Sequence, residues 1–262
     1  MEPVYVIKIG GNIIDDAQKL AAFLEAFAAL PGKKVLVHGG GKLATRIGDA
    51  LGIPQQLVDG RRITDPETLK VVTMVYAGYI NKNIVAGLYA AGCPAIGLSG
   101  TDGDAIRAHK RAAKGAVDYG FAGDVDAVNL DLLSTQLDSG LSVVLAPITH
   151  DGNGQLLNTN ADTIAQETAK ALAARFDVHL VYSFEKSGVL RDADDDASLI
   201  ASITPASYDQ LKTDGSVHSG MIPKLDNAFA ALRSGVREVL IGKAEDLPQL
   251  VQGRTGTRIV HE

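Results

Sequence analysis

Cysteine is nearly absent from this chain: Cys93 is the single one among 262 residues. One cysteine cannot form an internal disulfide framework, and no charged segment followed by an apolar one opens the chain as in a signal peptide. We therefore expect a cytoplasmic protein. Apolar runs stay shorter than the roughly 18 residues of a membrane-spanning helix, so we expect no membrane role.

Tryptophan is absent, aromatic residues make up 5% of the chain, and no segment is dense in lysine and arginine. Proteins that bind nucleic acid use basic surfaces and aromatic stacking platforms, and this chain of net charge −6 offers neither. The signatures of P-loop enzymes, protein kinases, zinc proteases and serine hydrolases are also missing. The six histidines are scattered singly, so we expect no metal held by protein side chains.

Hydrophobic residues make up 46% of the chain and charged residues 21%, which suits one large domain or two lobes around a substantial core. Runs typical of buried strands alternate with segments of helical periodicity, and this alternation predicts an α/β fold with a parallel sheet. The predicted strands are 4–9, 34–38, 95–98, 142–147, 178–183, 238–241 and 257–260. The predicted helices are 15–30, 43–51, 66–91, 130–139, 161–175, 205–212 and 223–234.

A second set of strands and helices begins near residue 175. We expect two lobes, residues 1–175 and 176–262, that share one continuous sheet. Residues 101–128 have irregular hydrophobicity and are predicted to form a hairpin over the sheet edge, without a helix. The aspartates of residues 192–196 lack the spacing of a calcium loop, so we expect a solvated loop there.

Glycine-rich turns follow the first two predicted strands. The first strand brings Lys8 to a turn at Gly10 and Gly11, and the second ends at residues 39–41, Gly-Gly-Gly. A right-handed crossover places both turns on the same sheet edge, where bare backbone N–H groups can donate hydrogen bonds to a phosphate. A tight strand-to-helix connection is the simpler alternative for the first turn.

The second turn also fits the loose dinucleotide fingerprint G-x-G-x-x-A, which leaves an NAD- or flavin-dependent oxidoreductase as an alternative. That fingerprint needs an acid about 20 residues later, at the end of the next strand. Asp59 and Asp65 have this distance but lie in a turn-rich segment. The oxidoreductase is therefore the weaker hypothesis.

Polar residues precede two later helices. Asn158, Asn160 and Asp162 occupy alternate positions before an alanine-rich helix, so they can point together into a crevice, although Asp162 also suits a simple helix start. Lys224 lies just inside another helix, where the helix dipole disfavours a cation. We expect an anion, such as a nucleotide phosphate, to compensate Lys224.

Five short motifs occur in order along the chain: Lys8-Ile-Gly-Gly11, His38-Gly-Gly-Gly41, Arg62-Ile-Thr64, Asn158-Thr-Asn-Ala-Asp162 and Gly220-Met-Ile-Pro-Lys224. Their order and spacing resemble the amino acid kinase family over essentially the whole chain. Within it the chain is most similar to the branch that uses ATP to phosphorylate the side-chain carboxylate of N-acetyl-L-glutamate in arginine biosynthesis. The resemblance implies a three-layer αβα sandwich with a mostly parallel open sheet, as in carbamate kinase. It also implies an N-terminal lobe that binds the acyl amino acid and dimerises, and a C-terminal lobe that binds ATP.

The resemblance also assigns roles to single residues. Lys8 and Lys224 would neutralise charge on the transferring phosphoryl group, and Asp162 would orient both lysines. The residues expected to bind the acyl amino acid are Gly40, Gly41, Arg62, Asn158 and Asn160, with Arg62 on its α-carboxylate. The residues expected to bind the nucleotide are Gly10, Gly11, Ser183, Gly188, Ser216, Val217 and His218. Mg²⁺ would be held by the ATP phosphates.

The chain departs from the family pattern in two places. Residues 183–190 form a turn one residue longer than the family's Thr-Asp-Val-x-Gly-Val-Leu, and they lack its aspartate. The chain also begins almost directly at its first strand, whereas arginine-inhibited hexamers have an N-terminal helix there, so we expect an arginine-insensitive homodimer. The apolar stripe expected to be covered partly by the partner is Leu69, Val72, Val75, Tyr76, Ile80, Ile84 and Leu88.

Two further alternatives remain open at this point. The same fold could serve a non-catalytic amino-acid or nucleotide sensor, although both lysines and the aspartate are retained. The same chemistry could also act on N-succinylglutamate or on an aminoadipate carried by a protein, because the motifs do not specify the acyl group.

Overall fold

An eight-stranded sheet forms the centre of the computed structural model, which describes residues 1–58, 60–113, 115, 117–192, 194–217 and 221–261. Every neighbouring pair in this sheet is parallel except β13 with β14. In order across the sheet the strands are β12 (Ser202–Ile203), β14 (Thr257–Ile259), β13 (Glu238–Lys243), β11 (Asp177–Phe184), β1 (Pro3–Ile9), β2 (Lys33–His38), β8 (Ser142–Leu145) and β5 (Ala95–Leu98).

Helices cover both faces of the sheet. The alternation of side chains along β1 shows why: Val4 and Val6 pack with α7 and α9, whereas Ile7 and Ile9 pack on the opposite face with α2 and α5. The α/β fold with a mostly parallel open sheet is therefore confirmed. The helices are α1 (Gly11–Ile14), α2 (Ala17–Ala29), α3 (Gly41–Ala50), α4 (Pro66–Thr73), α5 (Asn81–Ala90), α6 (Leu130–Asp138), α7 (Ala161–Leu172), α8 (Pro205–Thr213), α9 (Ile222–Arg233) and α10 (Leu247–Val251).

The two halves of the sheet come from different parts of the chain. Strands β11 to β14 all follow residue 175 and occupy one side, next to β1. Strands β1, β2, β5 and β8 make up the other side. The assignment of acyl-amino-acid binding to residues 1–175 and of ATP binding to residues 176–262 stays a prediction.

A small closed barrel stands beside the main sheet. It contains β6 (Ile106–Lys110), β7 (Ala122–Val128), β9 (Ile148–His150) and β10 (Leu156–Thr159), and β6 and β7 form the predicted antiparallel hairpin. Two details of the prediction were wrong. The described part of residues 101–128 includes a 3₁₀ turn, Asp102–Asp104, because Asp102 accepts hydrogen bonds from Ser99. The strand predicted at 142–147 ends at Leu145, and the chain enters the barrel after Pro147, which has no N–H to donate.

The helix predicted at 66–91 is continuous but irregular. Between α4 and α5 the segment Met74–Ile80 is a π-helix. The argument that a partner covers its apolar stripe was wrong, since all seven side chains are at most 8% exposed within this subunit. They are buried because the helix packs against α2, α3 and β5 at once. A short hairpin, β3 (Gln56–Val58) with β4 (Arg61–Ile63), precedes this helix and had no clear pattern in the sequence.

Candidate active site

Two glycine turns open side by side at one edge of the sheet. Strands β1 and β2 are parallel neighbours with Ile9 opposite His38, so α1 and α3 start next to each other. At Gly40 the fold itself requires glycine, because φ is +146° and a Cβ there would lie 2.2 Å from Ile80 Cδ1. At Gly10 φ is an ordinary −87° and a Cβ would meet nothing within 4 Å. The space in front of Gly10 is therefore free for a ligand.

The two turns divide a larger cavity from a smaller one, and Gly41 lines both. The larger has a volume of about 580 Å³ and the smaller about 190 Å³. The larger is lined by Gly10, Gly11, Asn12, Ile13, Gly41, Lys42, Ser183, Phe184, Glu185, Lys186, Gly188, Leu190, Met221, Lys224 and Ile241. The smaller is lined by Gly39, Gly40, Gly41, Leu57, Gly60, Arg61, Arg62, Tyr76, Arg111, Gly123, Pro147, Asn158, Thr159, Asn160 and Ala161.

The three residues predicted to be catalytic come together near this junction. Lys8 Nζ lies 2.8 Å from Asp162 Oδ1. Lys224 reaches the same place from the other half of the chain, and it shares a small adjoining cavity with Asp162. The ring of Phe184 contacts both cations, with its centroid 5.5 Å from Lys8 Nζ and 4.1 Å from Lys224 Nζ. Two ammonium groups thus stand around one carboxylate and one aromatic face.

The electrostatic setting favours an added anion. Burial lowers the pKa of Lys224, the charge of Lys8 lowers it further, and only Asp162 raises it. A phosphate beside the two lysines would relieve their mutual repulsion. Tyr182 is a buried neighbour of Asp162. Its hydroxyl donates to the backbone oxygen of Asp162 at 3.4 Å, and burial raises the pKa of this phenol.

Arg62 is fixed at the wall of the smaller cavity. Its guanidinium is almost buried and donates to Gly41 O and Thr45 Oγ1, both at 2.9 Å, and also to Gln55. Gly41 belongs to the glycine turn, so Arg62 ties the β3–β4 hairpin to that turn. The planar group needs no rearrangement to offer its remaining N–H donors to a carboxylate.

The smaller cavity has a strongly cationic wall. Arg61 and Arg111 join Arg62 there, and among the described residues that line it there is no aspartate or glutamate. Arg111 is held in place by an ion pair with Asp124 and by the Tyr119 ring, whose centroid is 5.8 Å away. Such a wall accepts an anionic ligand of modest size.

The asparagines predicted to bind substrate also line the smaller cavity. Asn158 Nδ2 donates to Thr64 Oγ1 at 3.0 Å, which fixes the amide. Asn160 has a second duty as the cap of α7, since its Oδ1 accepts from the backbone N–H groups of Asp162 and Thr163 at 2.8 and 3.2 Å. Asp162 therefore leaves capping to Asn160 and turns its carboxylate toward Lys8.

The predicted nucleotide residues are only partly brought together. Gly10, Gly11, Ser183 and Gly188 line the larger cavity, and Ser183 Oγ has no hydrogen-bond partner among the described residues. Ser216 and Val217 do not line it: Val217 is buried in the core, and Ser216 N donates to Asp214 instead. His218 lies outside the described residues. The assignment of these positions to the nucleotide stays a prediction.

Several residues of the site were missed in the sequence. Phe184 lies in the altered turn, where its place under two lysines has no sequence signature. Arg111 lies on the irregular excursion, far along the chain from Arg62. Lys42 could have been found from the sequence, because it is a lysine at the start of a predicted helix, where the helix dipole disfavours a cation, as it does for Lys224.

His38 supports the second glycine turn from inside the core. Its Nδ1 donates to Gly39 O at 2.8 Å, and its Nε2 accepts from Asn81 Nδ2 at 3.3 Å. Asn81 also donates to Val144 O at 3.1 Å. Burial lowers the pKa of His38 to about 4, from 6.5. The neutral imidazole is thus built into the fold.

We expect this histidine to make stability depend on pH. In the unfolded chain the imidazole of His38 binds a proton below about pH 6.5, whereas in the folded chain it does so only below about pH 4. The free energy of unfolding therefore falls as the pH drops through that window. From pH 7 to 5 the cost is about 2 kcal/mol. Urea unfolding at both pH values, compared with His38→Gln, measures it. Equal losses in parent and variant would contradict the assignment.

Among the described residues, no helix is long and apolar enough to span a bilayer. Within the same residues, no group of three His, Cys, Asp or Glu side chains could hold a metal ion.

Comparison with known proteins gives one consistent result. Residues 3–243 match the amino acid kinase family. The acetylglutamate kinase of Cytophaga hutchinsonii is 54% identical over 99% of both chains, and that of Bacteroides thetaiotaomicron is 56% identical over 98% of both.

Solved structures share the fold. N-acetylglutamate synthase from Neisseria gonorrhoeae superposes with a TM-score of 0.83 at 24% identity, over all of this chain and 60% of the synthase chain. A carbamate kinase from Giardia lamblia gives a TM-score of 0.70 at 18% identity, over 100% of this chain and 99% of that one. At these identities the likeness extends to the fold alone.

Proposed function

Because this chain belongs to the amino acid kinase family, we propose that it transfers the terminal phosphoryl group of ATP to the side-chain carboxylate of N-acetyl-L-glutamate. This is the acetylglutamate kinase activity of relatives that are more than half identical over nearly the whole chain, and it is a step of arginine biosynthesis. One structural observation supports placing this reaction at the candidate site. Two cavities of suitable size meet at Gly41, beside two lysines and one aspartate.

ATP would occupy the larger cavity and the acyl amino acid the smaller one. The side-chain carboxylate is already ionised at neutral pH, so the reaction needs no general base. One carboxylate oxygen forms a bond to the γ-phosphorus while the bond to the β,γ-bridging oxygen breaks, which gives an acyl phosphate and ADP. Phosphoryl transfer leaves little covalent work to the protein, so charge stabilisation and positioning supply most of the rate.

Lys8 and Lys224 would stabilise the charge that spreads over the transferring group. Asp162 holds the Lys8 ammonium 2.8 Å away, so that this cation cannot turn aside when the site is empty. The ring of Phe184 contacts both ammonium groups and limits their movement. Lys8 lies on β1 and Lys224 on α9, so the two cations approach the phosphoryl group from different lobes.

The acyl amino acid would be held through its carboxylate and amide. Arg62 would form a paired contact with the α-carboxylate, and Asn158 and Asn160 would bind the amide and carboxylate oxygens. The backbone N–H groups of Gly40 and Gly41 would reach the acyl and reacting oxygens. The volume of about 190 Å³ suits a small acyl group.

The nucleotide phosphates would lie against Gly10 and Gly11, with Ser183 and Gly188 toward the nucleoside. The sequence resemblance adds Ser216, Val217 and His218. Mg²⁺ would ride on the ATP phosphates, where it offsets their charge. The wall fits that arrangement, because its charged groups apart from Glu185 are ammonium groups, which, like its backbone N–H groups, bind phosphate oxygens rather than metals. The use of ATP is the ground for proposing a cytoplasmic location.

The substitution Gly10→Ala tests whether the space in front of Gly10 is used by the nucleotide, because the fold itself does not need a glycine there. The new methyl group meets no protein atom within 4 Å, so we expect folding to persist. It would project into the larger cavity and raise KM for ATP about tenfold, with a small change in KM for the acyl amino acid. Steady-state kinetics against both substrates tests this, with thermal unfolding as the check on the fold. An unchanged KM for ATP would contradict the placement of the ATP phosphates against this turn.

A homodimer would form through the helix that runs from Pro66 to Ala90. Met74, Tyr79 and Tyr89 on this helix are 57%, 65% and 58% exposed, and they offer apolar surface that a partner could bury. A second copy related by a two-fold axis would cover them. We expect light-scattering chromatography to give twice the chain mass, and Tyr79→Glu together with Met74→Glu to give a monomer. A dimer that survives both changes would place the interface elsewhere.

The activity itself is tested by trapping the acyl phosphate with hydroxylamine. We expect a hydroxamate from N-acetyl-L-glutamate with Mg-ATP, and much less from N-succinyl-L-glutamate. Faster turnover of the succinyl compound would show that the substrate carries a succinyl group, and the proposed site and phosphoryl transfer would be retained. Nucleotide binding without hydroxamate from any acyl amino acid would favour a sensor.

A further inference from the structure

Lys42 is a third lysine at the junction of the two cavities. It is the second residue of α3, directly after Gly41, and it lines the larger cavity. A cation is unfavourable in the first turn of a ten-residue helix, and α3 has no acidic residue there to offset it. The position therefore costs stability in the empty protein.

The surroundings of Lys42 leave its charge uncompensated. Its ammonium donates to Asn12 Oδ1 on α1, across the opening between the two glycine turns. Asn12 is neutral, and among the described residues no carboxylate forms an ion pair with Lys42. Lys8 differs in this respect, because Asp162 balances it at 2.8 Å.

The contact with Asn12 also fixes where the charge stands. Asn12 and Gly11 belong to the turn that faces the larger cavity, and Gly41 separates that cavity from the smaller one. The ammonium of Lys42 is therefore held over the border where a polyphosphate chain would end. A solvated lysine on a free helix face would need no such partner from a second helix.

We propose that Lys42 binds the terminal phosphates of the nucleotide and exchanges its contact with Asn12 for a phosphate oxygen when ATP enters. The proposal rests on the proposed function for the identity of the ligand. It adds a third cation to Lys8 and Lys224, placed on the turn that both substrates share. Lys42 contributes mainly to nucleotide affinity, since its side chain is exposed and its partner is a neutral amide that a phosphate oxygen can replace.

The test compares the affinity of Lys42→Ala for ATP, ADP and AMP by titration calorimetry with Mg²⁺ present. We expect ATP to bind roughly tenfold more weakly and AMP to bind within about twofold of the parent protein. Lys42→Arg keeps a cation at this position and is expected to recover most of the ATP affinity. Arg46→Ala is the matched control: it removes one positive charge from the same face of α3, one turn away, and is expected to change ATP affinity less than about twofold.

Three outcomes would overturn the role of Lys42. They are equal weakening of ATP and AMP, equal weakening by Arg46→Ala, and a loss of ATP affinity in Asn12→Ala as large as in Lys42→Ala. The last result would mean that the bridge between the turns matters and the charge does not. Calorimetry needs no acyl amino acid, so a failure here is distinct from a failure of the hydroxamate assay.

Discussion

Lys8→Ala is expected to lower kcat by about 30- to 1,000-fold, or roughly 2–4 kcal/mol in the barrier, with a much smaller change in either KM. The ammonium is held by Asp162 and shares the Phe184 ring with Lys224, which lines the larger cavity, so its main contact with the ligands would be to the group that moves. Interactions that strengthen in the transition state act on kcat rather than on KM. Lys224→Ala is expected to give a loss of the same order, because it reaches the same point from the other lobe.

The control for this experiment is Lys19→Ala, which removes an exposed lysine on α2 that forms an ion pair with Glu245 at 3.6 Å. We expect its kcat to be unchanged. Circular dichroism and thermal unfolding establish that the Lys8 and Lys224 variants are folded. A folded Lys8→Ala protein with near-normal turnover would remove Lys8 from the catalytic assignment.

Arg62→Lys is expected to raise KM for the acyl amino acid by about 10- to 100-fold and to leave KM for ATP nearly unchanged. Lysine keeps the charge but cannot hold Gly41 O, Thr45 and a carboxylate at the same time, whereas the guanidinium can. The KM for ATP in the same variant serves as the internal control. Equal increases in both KM values would mean that the change has disturbed the glycine turn, and the contact with the α-carboxylate would lose its support.

The sequence predicted seven of the eight strands of the main sheet, because most of them are apolar runs bounded by glycine or proline, and it missed the two-residue strand β12. It also predicted that Lys8 and the two glycine turns share an edge, since a right-handed crossover leaves no other arrangement. In the small barrel the sequence predicted the hairpin of β6 and β7 but not the strands β9 and β10, because three or four residues carry too little periodicity.

Contacts between distant residues were the other limit. Asn158 and Thr64 meet across the barrel, and Phe184 lies under Lys8 and Lys224, yet no local pattern specifies either arrangement. The stripe on the helix from Pro66 was visible, but its burial depends on three neighbouring elements whose positions the sequence alone did not reveal. Family resemblance identified residues by motif, and the structure supplied their distances.

The π-helix at Met74–Ile80 makes chain length itself part of the site's construction. A π-helix holds about one more residue than an α-helix of the same length, and each residue turns an α-helix by about 100°. With this offset, Ile80 packs against Gly40 and Asn81 reaches His38, while Tyr79 faces outward. Deleting one residue within Met74–Ile80 would let this segment close to an α-helix of about the same length, so that α4 and α5 keep their relative phase and Asn81 stays beside His38. Deleting one residue from α4, which has none to spare, would rotate the residues that follow by about 100° and withdraw Asn81 from His38. The extra residue of the π-helix therefore makes this segment tolerant of a deletion that the regular helix before it does not tolerate.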